Sequence, residues 1–238
     1  MPLDPKVAEI APGYEHELQS GQWSPFASDD AHRLFWTLQG PLEESVSVMQ
    51  DKQSPDSDLE PYHATTPDGD GWHPISKKPM TKPPVTYIFV GVDYLERWAE
   101  DWAEMHAHCI NEDDPETENM HREEDDPLLR CCGVECPPEQ VKLEVRASKQ
   151  PFVTIHDYLT AVHPWIMGQR ENLLTAMNVE AEFAEPLPAE TKLVASTYGP
   201  RDLLIYEEDH WKAVTRRHKG AVAMNIPVSG QPFVTVAE

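Results

Sequence analysis

The sequence predicts an α+β fold: a mixed or antiparallel sheet with a few packed helices and with long Pro-rich and acidic loops. Three observations carry that reading. Short β-branched and aromatic runs follow amphipathic helical stretches in an irregular order rather than in regular alternation. No internal repeat of fixed period is present. And 23 prolines among 238 residues, with 42 acids against 19 bases and a net charge of −23, mark stretches that do not pack as core.

Residues 1–50 are expected to hold an N-terminal arm and the first core elements. Residues 1–27 are punctuated by Pro and Gly without a clear period. HRLFWTLQG, 32–40, is apolar enough for a buried strand or a short helix, and PLEESVSVMQ is expected to begin a helix with Pro41 in its first turn. Residues 51–84 contain seven prolines and read as a linker or long surface loop.

Residues 85–238 are expected to form the main α+β domain, with an acidic excursion over 110–138. VTYIFVGV, 85–92, reads as a buried strand. Asp93 with Glu96 three residues on has the spacing of a capping pair. In the helix that follows, Leu95, Trp98, Trp102, Met105 and Cys109 step by three or four and form one apolar face. That face is expected to bury in the protein's own core, with a partner anchor as the alternative.

Residues 112–126 hold nine acids and one arginine, which suits a solvated loop. VKLEVRA, 141–147, alternates like a half-buried strand. PFVTIHDYLTAV then reads as strand, acidic residue and helix, with Pro164 interrupting the helix and beginning its continuation. KLVAS, DLLIY, AVAMNIPV and PFVTVAE are expected as strands, with EEDHWKAVTRRH as a helix between the second and third.

All four cysteines and two histidines flank the acidic stretch. Zinc takes four ligands and tends to draw them as two close pairs. His106 and Cys109 share a side of the predicted helix, and Cys132 and Cys136 bracket a turn at Gly133. A structural Cys₃His zinc site of His106, Cys109, Cys132 and Cys136 is therefore one reading, and zinc is the only cofactor it would require. Reduced thiols, or a disulfide or redox pair, are the others.

Among groups able to move protons, His156, His163, His210, Glu208 and Asp209 lie near predicted strand ends and are the candidates for catalysis. Each has a structural reading as well. Asp157 beside His156 suits a helix cap, and His163 fills the position before Pro164. The nucleophile-elbow, dinucleotide and P-loop patterns are absent.

A charge of −23 repels phosphate backbones and anionic membrane surfaces, so nucleic acid and membrane are not expected partners. The basic cluster at Lys212, Arg216, Arg217 and Lys219 suits a helix end. No apolar run approaches the roughly 20 residues that cross a bilayer, and no targeting pattern opens the chain. A cytoplasmic location is expected, with the nucleus left open.

FWTLQGP (35–41), PPVTYIFV (83–90), PFVTIHDYLTAVHPWI (151–166) and RDLLIY (201–206) stand in an order that resembles a family of uncharacterised fungal proteins. Those proteins have a W-x-L segment before a proline, an apolar strand, a V-T-[IV]-x-D-[VY]-L-x-A-[IV] helix start and a late D-L-L strand. The cysteine-bearing insertion at 99–140 departs from that pattern. The resemblance implies an intracellular fungal α+β domain and carries over no activity or catalytic residues. The resulting expectation is a non-catalytic interaction or accessory module with a partner of basic surface. An enzyme or small-molecule binder using the His and carboxylate candidates in a cleft, and a zinc-stapled regulator, are the alternatives.

Overall fold

The computed structural model describes residues 25–52, 54–66, 69–106, 130–131, 134–180 and 187–223. A seven-stranded mixed sheet organises them, as an α+β fold requires. The strands that build it are β2 (Leu34–Thr37), β3 (Val46–Met49), β4 (Leu59–Pro61), β8 (Tyr87–Val92), β11 (Leu143–Arg146), β12 (Leu193–Ser196) and β13 (Asp202–Glu207). Their order is β11–β8–β13–β12–β2–β3–β4. Every neighbouring pair is antiparallel except β8 with β13, whose parallel register sets Asp202 opposite Gly91 and Leu203 opposite Val92. Three small pairs lie outside it: β1 (Phe26–Ala27) with β7 (Thr81–Lys82), β5 (His63–Thr66) with β6 (Gly69–Trp72), and β9 (Arg130–Cys131) with β10 (Val134–Glu135).

Side chains alternate across a strand, so each strand serves two faces. On the inner face Trp36, Val48, Val90, Leu193 and Ile205 pack under α3 (Ile155–Met167) and α4 (Arg170–Glu180). On the outer face Phe35, Met49, Val194 and Tyr206 surround Trp211 of α5 (Glu208–Ala223). α2 (Asp93–Met105) continues directly from β8 and packs on α4 and β13.

Several local expectations change on folding. PLEESVSVMQ forms only the single turn α1 (Leu42–Ser45), and Val46 and Val48 then alternate as a strand, because β-branched side chains fit a pleated surface better than a helix. The Pro-rich stretch after residue 50 is built into the core rather than strung between bodies: Tyr62, Ile75 and Met80 are buried in it. Its prolines sit where a missing N–H costs little. Pro61 lies on the edge strand, and Pro74 opens a 3₁₀ turn over Pro74–Lys77.

α2 starts at Asp93 without a side-chain cap; Asp93 instead pairs with Arg97, and Glu96 with Lys142. Its indoles do face inward, Trp102 buried and Trp98 half-buried, but Met105 is exposed. α3 runs straight through Pro164, and the chain breaks at Gly168 and Gln169, between α3 and α4. Residues 221–223, expected as strand, close α5. PFVTVAE and the acidic run 112–126 lie outside the described residues.

Candidate functional site

Five titratable residues were the candidates for chemistry, and the fold divides them. α3 is fixed at its start by a reciprocal cap: the Thr154 hydroxyl accepts from the Asp157 N–H, while the Asp157 carboxylate accepts from the Thr154 N–H and from Ser148 Oγ. Burial pushes the Asp157 carboxyl up, but the hydrogen bonds from Ser148 and Thr154 outweigh it and hold it below its ordinary value.

From that start the helix sends His163 inward. Trp36 Nε1 donates to His163 Nδ1 at 3.0 Å, so Nδ1 is the acceptor nitrogen. The proton therefore sits on Nε2, which donates to the Gly40 carbonyl at 3.0 Å. Both ring nitrogens are used by the core, which leaves neither for a substrate.

His156, two turns earlier on α3, stands against the small β5–β6 sheet. Its ring centroid lies 4.7 Å from that of Trp72, and its Nδ1 lies 3.4 Å from the Tyr62 hydroxyl. His63 flanks Trp72 on another side at 4.6 Å. Burial lowers the proton affinity of His156, opposed by the charge of Asp157 and assisted by Lys149. A two-stranded hairpin is marginal alone, so this aromatic stack is what ties it to α3.

Glu208, Asp209 and His210 begin α5 on the opposite face of the sheet. Glu208 and Asp209, with Lys192 and Glu207, line an open cavity of about 260 Å³. Glu208 is held by Lys212 at 2.5 Å, and the His210 ring lies 5.3 Å from that of Tyr206. The sheet thus separates His163 from His210, and the candidates do not gather in one cleft.

Of the zinc set, His106 caps the C-terminus of α2 and is buried. Its ring stacks on Trp102 with centroids 4.5 Å apart, and its Nδ1 lies 2.7 Å from the Trp102 carbonyl. A carbonyl only accepts, so Nδ1 carries a proton. Cys136 is half-buried, with its sulfur 3.5 Å from the Pro137 carbonyl. Cys109 and Cys132 lie outside the described residues. Among the described residues no group of three or more His, Cys, Asp or Glu is placed to hold a metal ion.

An aromatic pair lies on the outer face of β8, beside β11. Tyr87 and Phe89 alternate with the buried Ile88 and Val90, and their rings meet edge to face at 5.6 Å. Phe89 is 43% exposed. Across the register, Arg146 stands opposite Tyr87 with its guanidinium 5.5 Å over the ring, and Glu144 stands opposite Phe89 and pairs with Arg146. At Gly91, next on this face, a Cβ would lie 1.8 Å from Glu96 Oε1; the glycine leaves room for Glu96 to reach Lys142 over the strand. α5 packs on this face at β12 and β13, and Tyr87 and Phe89 are not among the residues gathered around its Trp211.

Reading 85–92 as uniformly buried missed this strip. Its signal was present: one alternate set is Ile88, Val90 and Val92, and the other is Tyr87, Phe89 and Gly91. Arg170 was also passed over. From the first position of α4 it donates to the carbonyls of Leu38 at 2.9 Å, Ala189 at 3.0 Å and Thr191 at 2.5 Å, joining the end of β2 to the chain that leads into β12.

Neither protein-family models, curated proteins nor solved structures give a match to this chain.

Proposed function

We propose that this chain is an intracellular, non-catalytic interaction module that holds a protein partner of basic surface on the open β8–β11 face. One observation supports the reading: Phe89 is exposed, with the half-buried Tyr87 beside it on β8, outside the cluster that α5 covers on β12 and β13. Aromatic residues and arginine are the side chains that interfaces favour, and Arg146 lies over Tyr87. The charge of −23 supplies long-range attraction for a cationic partner and governs encounter rate more than contact energy.

The test compares the wild-type chain with Tyr87→Ser/Phe89→Ser, both with unchanged circular dichroism. The wild type is expected to retain a partner that added salt weakens, and the variant to release it. Equal retention by both chains, or none by the wild type, refutes the reading.

A second reading, a structural zinc staple, is favoured by His106. Ligating histidines commonly donate their other ring N–H to a carbonyl or carboxylate, and the Trp102 carbonyl stands at that place. Cys109, Cys132 and Cys136 would complete the set. Elemental analysis of the chain purified in reducing buffer is expected to find zinc in the wild type and to lose it in Cys132→Ala; a wild type without zinc ends this reading.

A further inference from the structure

We infer that Ser57 is a phosphorylation site for a serine kinase that reads carboxylates on the C-terminal side of its acceptor, and that the phosphate docks on Arg216 and Arg217 of α5. This does not rest on the interaction surface proposed above.

Residues 57–60 read Ser-Asp-Leu-Glu, which places carboxylates one and three residues beyond the hydroxyl. A kinase of this class reads such acids with basic side chains, and it needs them extended and within reach. The fold supplies both conditions. Asp58 is exposed, and Leu59–Pro61 form β4, the outermost strand, exposed along its whole length. Glu60 also meets His73 Nε2 at 3.0 Å, a contact at the surface. Ser57 itself closes a tight turn: its N–H and its hydroxyl both donate to the Ser54 carbonyl, at 3.0 and 2.8 Å. The hydroxyl is therefore held by one local hydrogen bond.

Ser28 shows why sequence alone does not pick the acceptor. It too precedes two acids, Asp29 and Asp30, but it is buried, donates to the Pro79 carbonyl and accepts from the Ala31 N–H. The fold buries Ser28 and leaves Ser57 half-buried at the turn before the exposed β4.

The landing site is one residue away from the acceptor. Arg216 grips both carboxylate oxygens of Asp56, at 2.8 and 2.5 Å, and so already joins this turn to α5. Arg217 beside it is exposed. A phosphoserine carries about −1.5 to −2 charge and three strong acceptor oxygens, against the single charge of Asp56. It is the better partner for a guanidinium fork and draws the β3–β4 turn closer to α5. In the transfer the Ser57 oxygen bonds to the γ-phosphorus of ATP, the bond to the bridging oxygen breaks, the hydroxyl proton passes to the base of the kinase, and ADP leaves.

The full chain is incubated with ATP and an acid-directed serine kinase, and the product is mapped by mass spectrometry. Incorporation is expected at Ser57, at background level in Ser57→Ala and slowed in Asp58→Asn/Glu60→Gln. Titration by phosphorus NMR is then expected to show the second ionisation moved down relative to the urea-unfolded phosphoprotein, with the shift lost in Arg216→Gln/Arg217→Gln. These side chains are on the surface, and circular dichroism checks that each variant is folded. No incorporation, or incorporation that survives Ser57→Ala, overturns the site. A phosphate that titrates alike with and without the arginines overturns the docking.

Discussion

The two faces of the central sheet are closed by different means. On the inner face α3 and α4 cover aliphatic side chains drawn from β11 across the sheet to β3. On the outer face, among the described residues, α5 is held over β12 and β13 by one indole in a small cluster. The inner face therefore carries most of the apolar burial and sets global stability. The outer face keeps room for surface chemistry.

The sharpest way to break that comparison is Trp36→Ala. Trp36 is fully buried and its Nε1 serves His163. Truncation is expected to cost about 3–5 kcal/mol in urea unfolding. His163→Phe keeps an aromatic ring and leaves the buried Trp36 N–H without its partner, at about 1–3 kcal/mol, while the exposed Gly40 carbonyl turns to water. A His163→Phe chain as stable as wild type would deny this histidine its structural role and return it to the candidates for catalysis.

On the outer face Trp211→Ala is the matching test. Its neighbours are few: Met49 and Val194, with Phe35 and Tyr206 beside them. The expected loss is about 3 kcal/mol, at the lower end of the range for such truncations. Hydrogen exchange should rise in α5 and β12 while α3 stays protected. Equal rises on both faces would mean that the two layers open together.

How far these faces were legible follows from what each signal depends on. Strands with a local signature, such as Leu193–Ser196 and Asp202–Glu207, were readable because each is a short apolar run written within a few residues. α2 and its inward indoles were readable for the same reason at helical spacing. The stretch from 51 to 84 was not, because Pro and Gly density hides pieces as short as Leu59–Pro61, whose strand character comes from pairing with β3. The histidines illustrate the limit for a site. His163 and His156 look alike in sequence, and only the partner each meets, Trp36 in one case and Trp72 in the other, separates a core hydrogen bond from a stacked surface ring.

That second histidine predicts a smaller, pH-dependent effect. Folding lowers the proton affinity of His156, so above its unfolded value of about 6.5 the ring is neutral in both states and contributes no pH dependence. As pH falls below that value the unfolded chain takes the proton first, and stability declines. The Asp157 carboxyl, also lowered on folding, adds stability that persists above its unfolded value of about 3.9 and is lost only as pH falls through the folded one. Urea midpoints measured against pH should therefore fall in two steps, with the upper one reduced in His156→Gln. A wild-type minus variant difference that stays level below pH of about 6.5 would remove burial as the cause.

The smallest effect on stability is expected where the functional effect is expected to be largest. Phe89 is exposed, and its ring meets that of Tyr87 edge to face. Replacing it with Ser removes the ring contacts that remain, a loss of up to about 1 kcal/mol for a surface pair on a strand. Partner binding should respond in the opposite sense, because aromatic anchors carry a disproportionate share of interface energy. Measuring both quantities on Phe89→Ser thus separates the two kinds of closure: a large drop in stability would place Phe89 in the core of the fold, and an unchanged stability with lost binding would place it in an interface.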